Sequence, residues 1–186
     1  MDEPRFPRLV SLACHDLRTP LATIYGFART LARMEGHDER TARYLGMIEE
    51  ASQQMTELLD DLGAAARIEA GRWEPALRDA DTAELARSDD ERVDVEGEGE
   101  MIATEVDAVR AALGALAAAA LRHGPVERVS WSVAGRELSL SPVTSAAAPV
   151  VGGDEVRDLG SLVARLVIER LDGSLTLDGE VLRVRL

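Results

Sequence analysis

The stretch Arg8–Met34, RLVSLACHDLRTPLATIYGFARTLARM, decides how the first part of the chain folds. Val10, Ala13, Leu17, Pro20, Ile24, Phe27 and Leu31 recur at alternating steps of three and four, the a and d positions of a helical seam. Only Pro20, and more weakly Gly26, speaks against one continuous helix. Gly36 suits the end of that helix, His37 falls in the break, and Asp38 suits the N-cap of a second helix. Tyr44, Ile48, Ala51, Met55, Leu58, Leu62 and Ala65 then repeat the same spacing. Two long helices joined by a short loop make an antiparallel hairpin. A hairpin cannot cover both of its own stripes, so two copies are expected to pair as a homodimer in a four-helix bundle.

After Gly71 the pattern changes. The residues from Arg87 to Glu100 are acidic and irregular, with a strand expected at Arg92–Val95 and another at Met101–Ala103. A helix is expected from about Glu105 to Arg122. Strands follow at Arg128–Val133 and Arg136–Leu140 around Gly135, then a loop from Ser141 to Asp158. Leu159–Leu171 reads as helix. Ser174–Leu177 and Val181–Leu186 read as a hairpin about Asp178-Gly179. The expected class is α+β: the helical hairpin over residues 1–72, and a small two-layer α/β sandwich with a mostly meandering sheet over 73–186.

Composition removes several function classes. The net charge is −13, against the basic footprint that binding a nucleic-acid backbone needs. All 21 basic residues are arginine, a uniformity with no local structural reason. The single cysteine, Cys14, excludes a disulfide framework and a multi-cysteine metal site. The longest apolar run, Ala111 to Leu121, is too short to span a membrane, and the first residues, MDEPRFPRLV, lack the basic-then-apolar layout of a secretory leader. A cytoplasmic setting without membrane contact is the expectation.

One residue on the first helix carries chemistry. His15 lies two positions after Ala13, on the face most exposed to solvent, with Asp16 beside it and Thr19 one turn along. An exposed imidazole is a nucleophile near neutral pH because much of it is uncharged there. A carboxylate alongside can orient the ring or accept a proton, and a hydroxyl one turn on can position a water. Pro20 removes a backbone hydrogen bond within the helix at a cost of roughly 3 kcal/mol, which loosens it beside the reactive face. Each of these is also found on ordinary helices, and spacing alone leaves an unremarkable surface histidine as open a reading as a reactive one.

The complete string His15-Asp16-Leu17-Arg18-Thr19-Pro20-Leu21 strongly resembles the H-box of bacterial sensor histidine kinases, in their HisKA-type dimerisation and histidine-phosphotransfer hairpin. Arg67-Ile68-Glu69-Ala70-Gly71 is similar to that family's usual close of the second helix, so the resemblance covers about residues 5–72. It implies that His15 is the phosphoacceptor, Asp16 its acid/base partner, Thr19 a support for phosphatase chemistry, and Arg18 and Pro20 supporting residues. It also implies a receiver domain of a response regulator as partner, docking on the lower bundle against Tyr25, Phe27 and Thr30 of the first helix and the facing part of the second, and a separate histidine kinase as a further partner.

In that family an ATP-binding, GHKL-type sandwich follows the hairpin, and the remaining residues keep its order. Ala120-Leu121-Arg122-His123-Gly124-Pro125 resembles the end of the N-box helix, and Leu159 to Gly173, with Gly160, resembles the later glycine-box helix. The chemistry departs from the pattern. The N-box asparagines would fall at Ala115 and Ala119, and a methyl group cannot ligate magnesium, which demands oxygen. The Asp-x-Gly-x-Gly segment is replaced by Ser141-Pro142-Val143-Thr144-Ser145-Ala146. The phosphate-side glycines would align with Val156 and Asp158, the second placing negative charge where triphosphate would sit. The stretch for a nucleotide lid is short. No cofactor is therefore expected on this chain, with Mg²⁺ supplied by the receiver partner.

The other candidates read blandly. His123 would meet the last carbonyls of its helix, His37 would be solvated, and Cys14 would be partly buried. Trp73 and Trp131 would be packing residues, Trp73 at the junction of the two parts, and the acidic runs Ser88–Glu91 and Glu96–Glu100 solvated loops. The leading expectation is a histidine phosphotransferase of a phosphorelay, favoured over an autokinase. The alternatives are a response-regulator phosphatase using Thr19, or a non-catalytic pseudokinase dimer that binds or sequesters a kinase or regulator.

Overall fold

The computed structural model describes residues 5–34 and 36–186, without the side chains of residues 5, 6, 8 and 9. Residues 1–4, part of the stretch read above for a leader, lie outside the described residues. The chain divides into two compact units, Met1–Trp73 and Glu74–Leu186.

The first unit is a hairpin of α1 (Arg5–Ala32) and α2 (Glu39–Glu69). Helix α1 runs through Pro20 without a break. His37 Nε2 lies 2.8 Å from the Leu31 carbonyl at the end of α1. A carbonyl only accepts, so the ring donates, and His37 closes the helix instead of being merely solvated. Asp38 accepts from the Thr41 N–H at 2.7 Å and caps α2. Helix α2 ends in a Schellman motif, with Arg72 N–H bonded to the Arg67 carbonyl and Gly71, at φ +67°, in the left-handed conformation.

The two helices meet through Cys14, Leu21 and Ala28 on α1, and Leu45, Ser52, Gly63 and Ala66 on α2, all buried. The heptad stripes read from the sequence lie beside this contact and face outward: Ile24 is 51% exposed, Phe27 67%, Tyr44 45% and Met55 54%. Cys14, expected to be partly buried, is 2% exposed, because Gly63 on α2 leaves room for it.

The second unit holds β1 (Arg78–Asp81), α3 (Thr82–Ala86), β2 (Val93–Gly99), β3 (Met101–Thr104), α4 (Val106–His123), β4 (Val129–Gly135), β5 (Glu137–Ser141), α5 (Ala148–Gly152), α6 (Leu159–Arg170), β6 (Ser174–Asp178) and β7 (Val181–Arg185). β1 and β3 form an antiparallel pair, and the other five strands form a sheet in the order β2-β4-β5-β7-β6. The β4–β5 and β6–β7 hairpins are as expected. β2 is not part of a meander, since it runs parallel to β4 and returns through α4. Glu96–Glu100 lies largely in that strand, not in a loop. Gly97 permits this: its φ is +102°, and a Cβ there would meet the Val133 carbonyl oxygen at 2.1 Å.

The core lies between the sheet and helices α4 and α6. Trp131, Leu138, Leu140 and Leu182 from the sheet and Val109, Leu113, Leu116 and Ile168 from the helices are fully buried. Ala117, Ala119 and Ala120 let α4 pack closely with α6. Trp73 is half-buried.

Candidate functional site

His15 stands on the outer face of α1 with its side chain 77% exposed. Its Nδ1 lies 3.2 Å from Asp16 Oδ1. An ionised carboxylate only accepts hydrogen bonds, so this contact places the proton on Nδ1. Nε2 has no hydrogen-bond partner among the described residues, which leaves it open to an incoming group. His15, Arg18, Thr19, Ala22 and Thr23 line one shallow hollow. The helix repeat brings them to one face, since positions three, four, seven and eight apart are neighbours.

Around this hollow the polar groups are sorted. Arg18 Nη2 donates to Asp60 Oδ1 on α2 at 2.6 Å. Thr23 donates back to the Thr19 carbonyl at 3.1 Å, as Thr30 does to Gly26 at 2.7 Å. The Thr19 hydroxyl makes no side-chain hydrogen bond among the described residues. Pro20, one residue on and exposed, offers no N–H to the Asp16 carbonyl. The arrangement provides an oriented nucleophile, a proton acceptor, a hydroxyl and a cation within one turn of helix. Asp60, the partner of Arg18, is not among the residues singled out from the sequence. It lies outside the apolar stripe of α2 and nothing local marks it.

The three residues read as a docking surface do not share a face. Tyr25 is half-buried and its hydroxyl accepts from Arg29 at 3.2 Å. Arg29 in turn lies 3.9 Å from Glu49 on α2. Phe27 is turned about 160° away from Tyr25 by the helix repeat, onto the outward apolar stripe. Thr30 lies on Phe27's side.

In the sandwich, the positions that the resemblance assigned to magnesium ligands hold the half-buried Ala115 and the fully buried Ala119. Val156 is 74% exposed. Asp158 does not point into solvent. Its side chain is 4% exposed, caps α6 by accepting from Ser161 N–H at 3.0 Å, and holds Arg122 Nη1 at 2.5 Å and His123 Nε2 at 3.1 Å. His123, expected at the carbonyls of its own helix, therefore binds a carboxylate at the start of another. Burial pushes the Asp158 carboxyl up, but the Ser161 N–H, His123 and the Arg122 charge outweigh it and hold its pKa below the usual carboxylate value. Among the described residues no group of three His, Cys, Asp or Glu side chains could hold a metal ion, and no helix is long and apolar enough to cross a membrane.

His15 is thus presented on a two-helix hairpin that precedes a mixed α/β sandwich in the chain. Residues 8–71 match the family model of the His Kinase A (phospho-acceptor) domain, HisKA. The hairpin is therefore similar to the phospho-acceptor domain of sensor histidine kinases, and the chain as a whole shares the fold of solved histidine kinases. Sensor protein DivL of Caulobacter vibrioides is 32% identical over 78 residues, 42% of this chain and 10% of DivL. The probable sensor histidine kinase TcrY of Mycobacterium tuberculosis is 34% identical over 65 residues, 35% of this chain and 14% of TcrY. The match thus spans a small fraction of either relative. Among solved structures, full-length ShkA in complex with AMPPNP superposes with a TM-score of 0.68 at 18% identity, over 96% of this chain and 44% of ShkA. The Acinetobacter baumannii histidine kinase AdeS gives 0.55 at 17% identity, over 92% and 96%.

Proposed function

We propose that this chain is a histidine phosphotransferase: His15 takes a phosphoryl group from an aspartyl phosphate of a receiver domain and passes it to another, with no ATP bound by the chain itself. The observation that carries the reading is the His15–Asp16 pair on an open helix face. In the transfer, the His15 Nε2–P bond forms as the P–O bond of the acyl phosphate breaks and the donor carboxylate leaves. Asp16 takes up the developing positive charge of the ring through Nδ1–H. The rest is positioning and charge neutralisation, with Mg²⁺ belonging to the receiver.

The sandwich supports the second half of the proposal. Alanine stands at both positions of the expected magnesium ligands, and the Asp158 carboxylate occupies the N-terminus of α6 with Arg122 and His123 around it. These residues do not fit a magnesium–triphosphate, so the neighbour's AMPPNP complex is not carried over. A homodimer paired through the outward stripes, and a receiver partner, complete the reading.

The test uses the purified chain with Mg-ATP alone and with a panel of phosphorylated receiver domains. Label should reach His15 from a receiver, be absent from His15→Ala, and not arise from Mg-ATP; titration calorimetry should show no heat with Mg-ATP or ADP. Label from Mg-ATP alone, or saturable nucleotide binding, overturns the reading in favour of an autokinase.

The Thr19 hydroxyl, in the same hollow and without a side-chain partner among the described residues, favours one second reading: a phosphatase that drains a response regulator. Thr19→Ala abolishing dephosphorylation while transfer at His15 persists would establish it.

A further inference from the structure

We propose that Asp60, on α2, is a positioning residue for phosphoryl transfer at His15, acting through Arg18. The inference rests on the phosphotransferase reading above and adds a residue to it.

Arg18 is the one cation lining the hollow that holds His15 and Thr19. It stands three positions after His15 and so lies on the neighbouring helix turn. A phosphoryl group on Nε2 brings close to two negative charges and three acceptor oxygens. A guanidinium has five donors in a planar fork. Asp60 engages one edge of that fork, through Nη2 at 2.6 Å, and leaves the remaining donors for the phosphoryl oxygens. Both side chains are partly exposed, at 43% for Arg18 and 60% for Asp60. An exposed pair of this kind contributes little to folding. What it does is restrict a long, flexible cation to one side of the hollow before the charge arrives, and preorganisation of this sort counts in the transfer step.

The sign of one measurement separates this role from a bystander. The probe is phosphoramidate, a small phosphoryl donor that needs no receiver. Its P–N bond breaks as the Nε2–P bond forms, and ammonia leaves with the ring's excess proton as ammonium. Phosphorus-31 NMR then gives both the rate of phosphohistidine formation and the pKa of the bound phosphoryl group. A guanidinium beside the phosphoryl lowers that pKa, and Arg18→Ala raises it. If Asp60 acts through Arg18, Asp60→Ala also raises it, because the guanidinium is no longer held. If Asp60 is only a nearby negative charge, its removal lowers the pKa. Asp16, the carboxylate beside His15, is the same in every variant.

We expect Arg18→Ala to slow phosphohistidine formation on the order of a hundredfold, as losing a charged donor does. Asp60→Ala should slow it about tenfold, Asp60→Glu should restore most of the rate, and the double variant should be no slower than Arg18→Ala. An unchanged rate and pKa in Asp60→Ala, or a lowered pKa, or multiplying effects in the double variant, each overturn the inference while the phosphotransferase reading stands. A wild-type chain that forms no more phosphohistidine than His15→Ala overturns both.

Discussion

A carboxylate with a side chain only 4% exposed has to be compensated, and Asp158 is compensated by three donors from two helices. Removing it should therefore cost both the α6 cap and the pairing. We expect Asp158→Ala to lower the unfolding free energy of the sandwich by about 2–3 kcal/mol. Asp158→Asn keeps an acceptor for Ser161 N–H and should cost less. The sign of the pH dependence follows from the lowered pKa of Asp158. Its contribution is present in full above the unfolded carboxylate value and is lost as pH falls through the lower, folded value. Urea midpoints measured between pH 3 and pH 7 should fall less steeply at the acid end in Asp158→Asn than in the wild type; equal slopes would show the pairing to be without consequence. On the other unit, Asp16→Asn keeps a hydrogen-bond acceptor beside His15 but removes the charge that, in the proposed transfer, stabilises the ring. Transfer should slow on the order of a hundredfold, against complete loss in His15→Ala, read as labelled phosphohistidine over time.

Among the elements, two of the six described glycines at positive φ, Gly71 and Gly97, test how strictly the backbone is specified. Gly71 ends α2 at φ +67° with nothing near a would-be Cβ, so Gly71→Ala pays conformational strain alone, roughly 1–2 kcal/mol. Gly97 combines φ +102° with the Val133 carbonyl at 2.1 Å, so Gly97→Ala must also displace β2 from β4. It should destabilise the sandwich more than Gly71→Ala destabilises the hairpin, visible as a larger drop in denaturant midpoint. The long helices were legible because their stripes repeat over many turns. The H-box could be read because its residues are contiguous. β1, α3 and α5 were not, for physical reasons: Arg78–Asp81 has no apolar alternation, and Thr82–Ala86 and Ala148–Gly152 are too short to show a helical period. Asp60 and the Arg122–His123–Asp158 cluster depend on residues far apart in sequence meeting in space. No local pattern encodes such a meeting, and so the sequence alone sets Asp158 where a triphosphate would lie, while in the fold it is the buried partner of Arg122 and His123.

At the scale of the whole molecule, the question is what covers the stripes on α1 and α2. Leu17, Ile24, Phe27 and Leu31 on one helix, and Ile48, Met55, Leu58 and Leu62 on the other, are all more than a third exposed in the single chain. Fully burying one such side chain is worth about 1.5–3 kcal/mol, so a hairpin that left them in water would forgo much of its stabilisation. Within the hairpin the contact rests largely on small residues, Cys14, Ala28, Ser52, Gly63 and Ala66, with Leu21 and Leu45 between them. These let the helices approach closely but bury little apolar area. A second copy would present the same stripes at the same spacing and would close a four-helix bundle without an open end. Two consequences can be measured. The chain should sediment as a dimer at micromolar concentration, and Ile24→Asp, which sets a charge in the stripe of each copy, should make it a monomer. The melting of the hairpin should also move to higher temperature as protein concentration rises, while the melting of the sandwich, whose core is closed within one chain, should not. A hairpin that melts independently of concentration in a monomeric wild-type chain would assign the stripes to a different occupant.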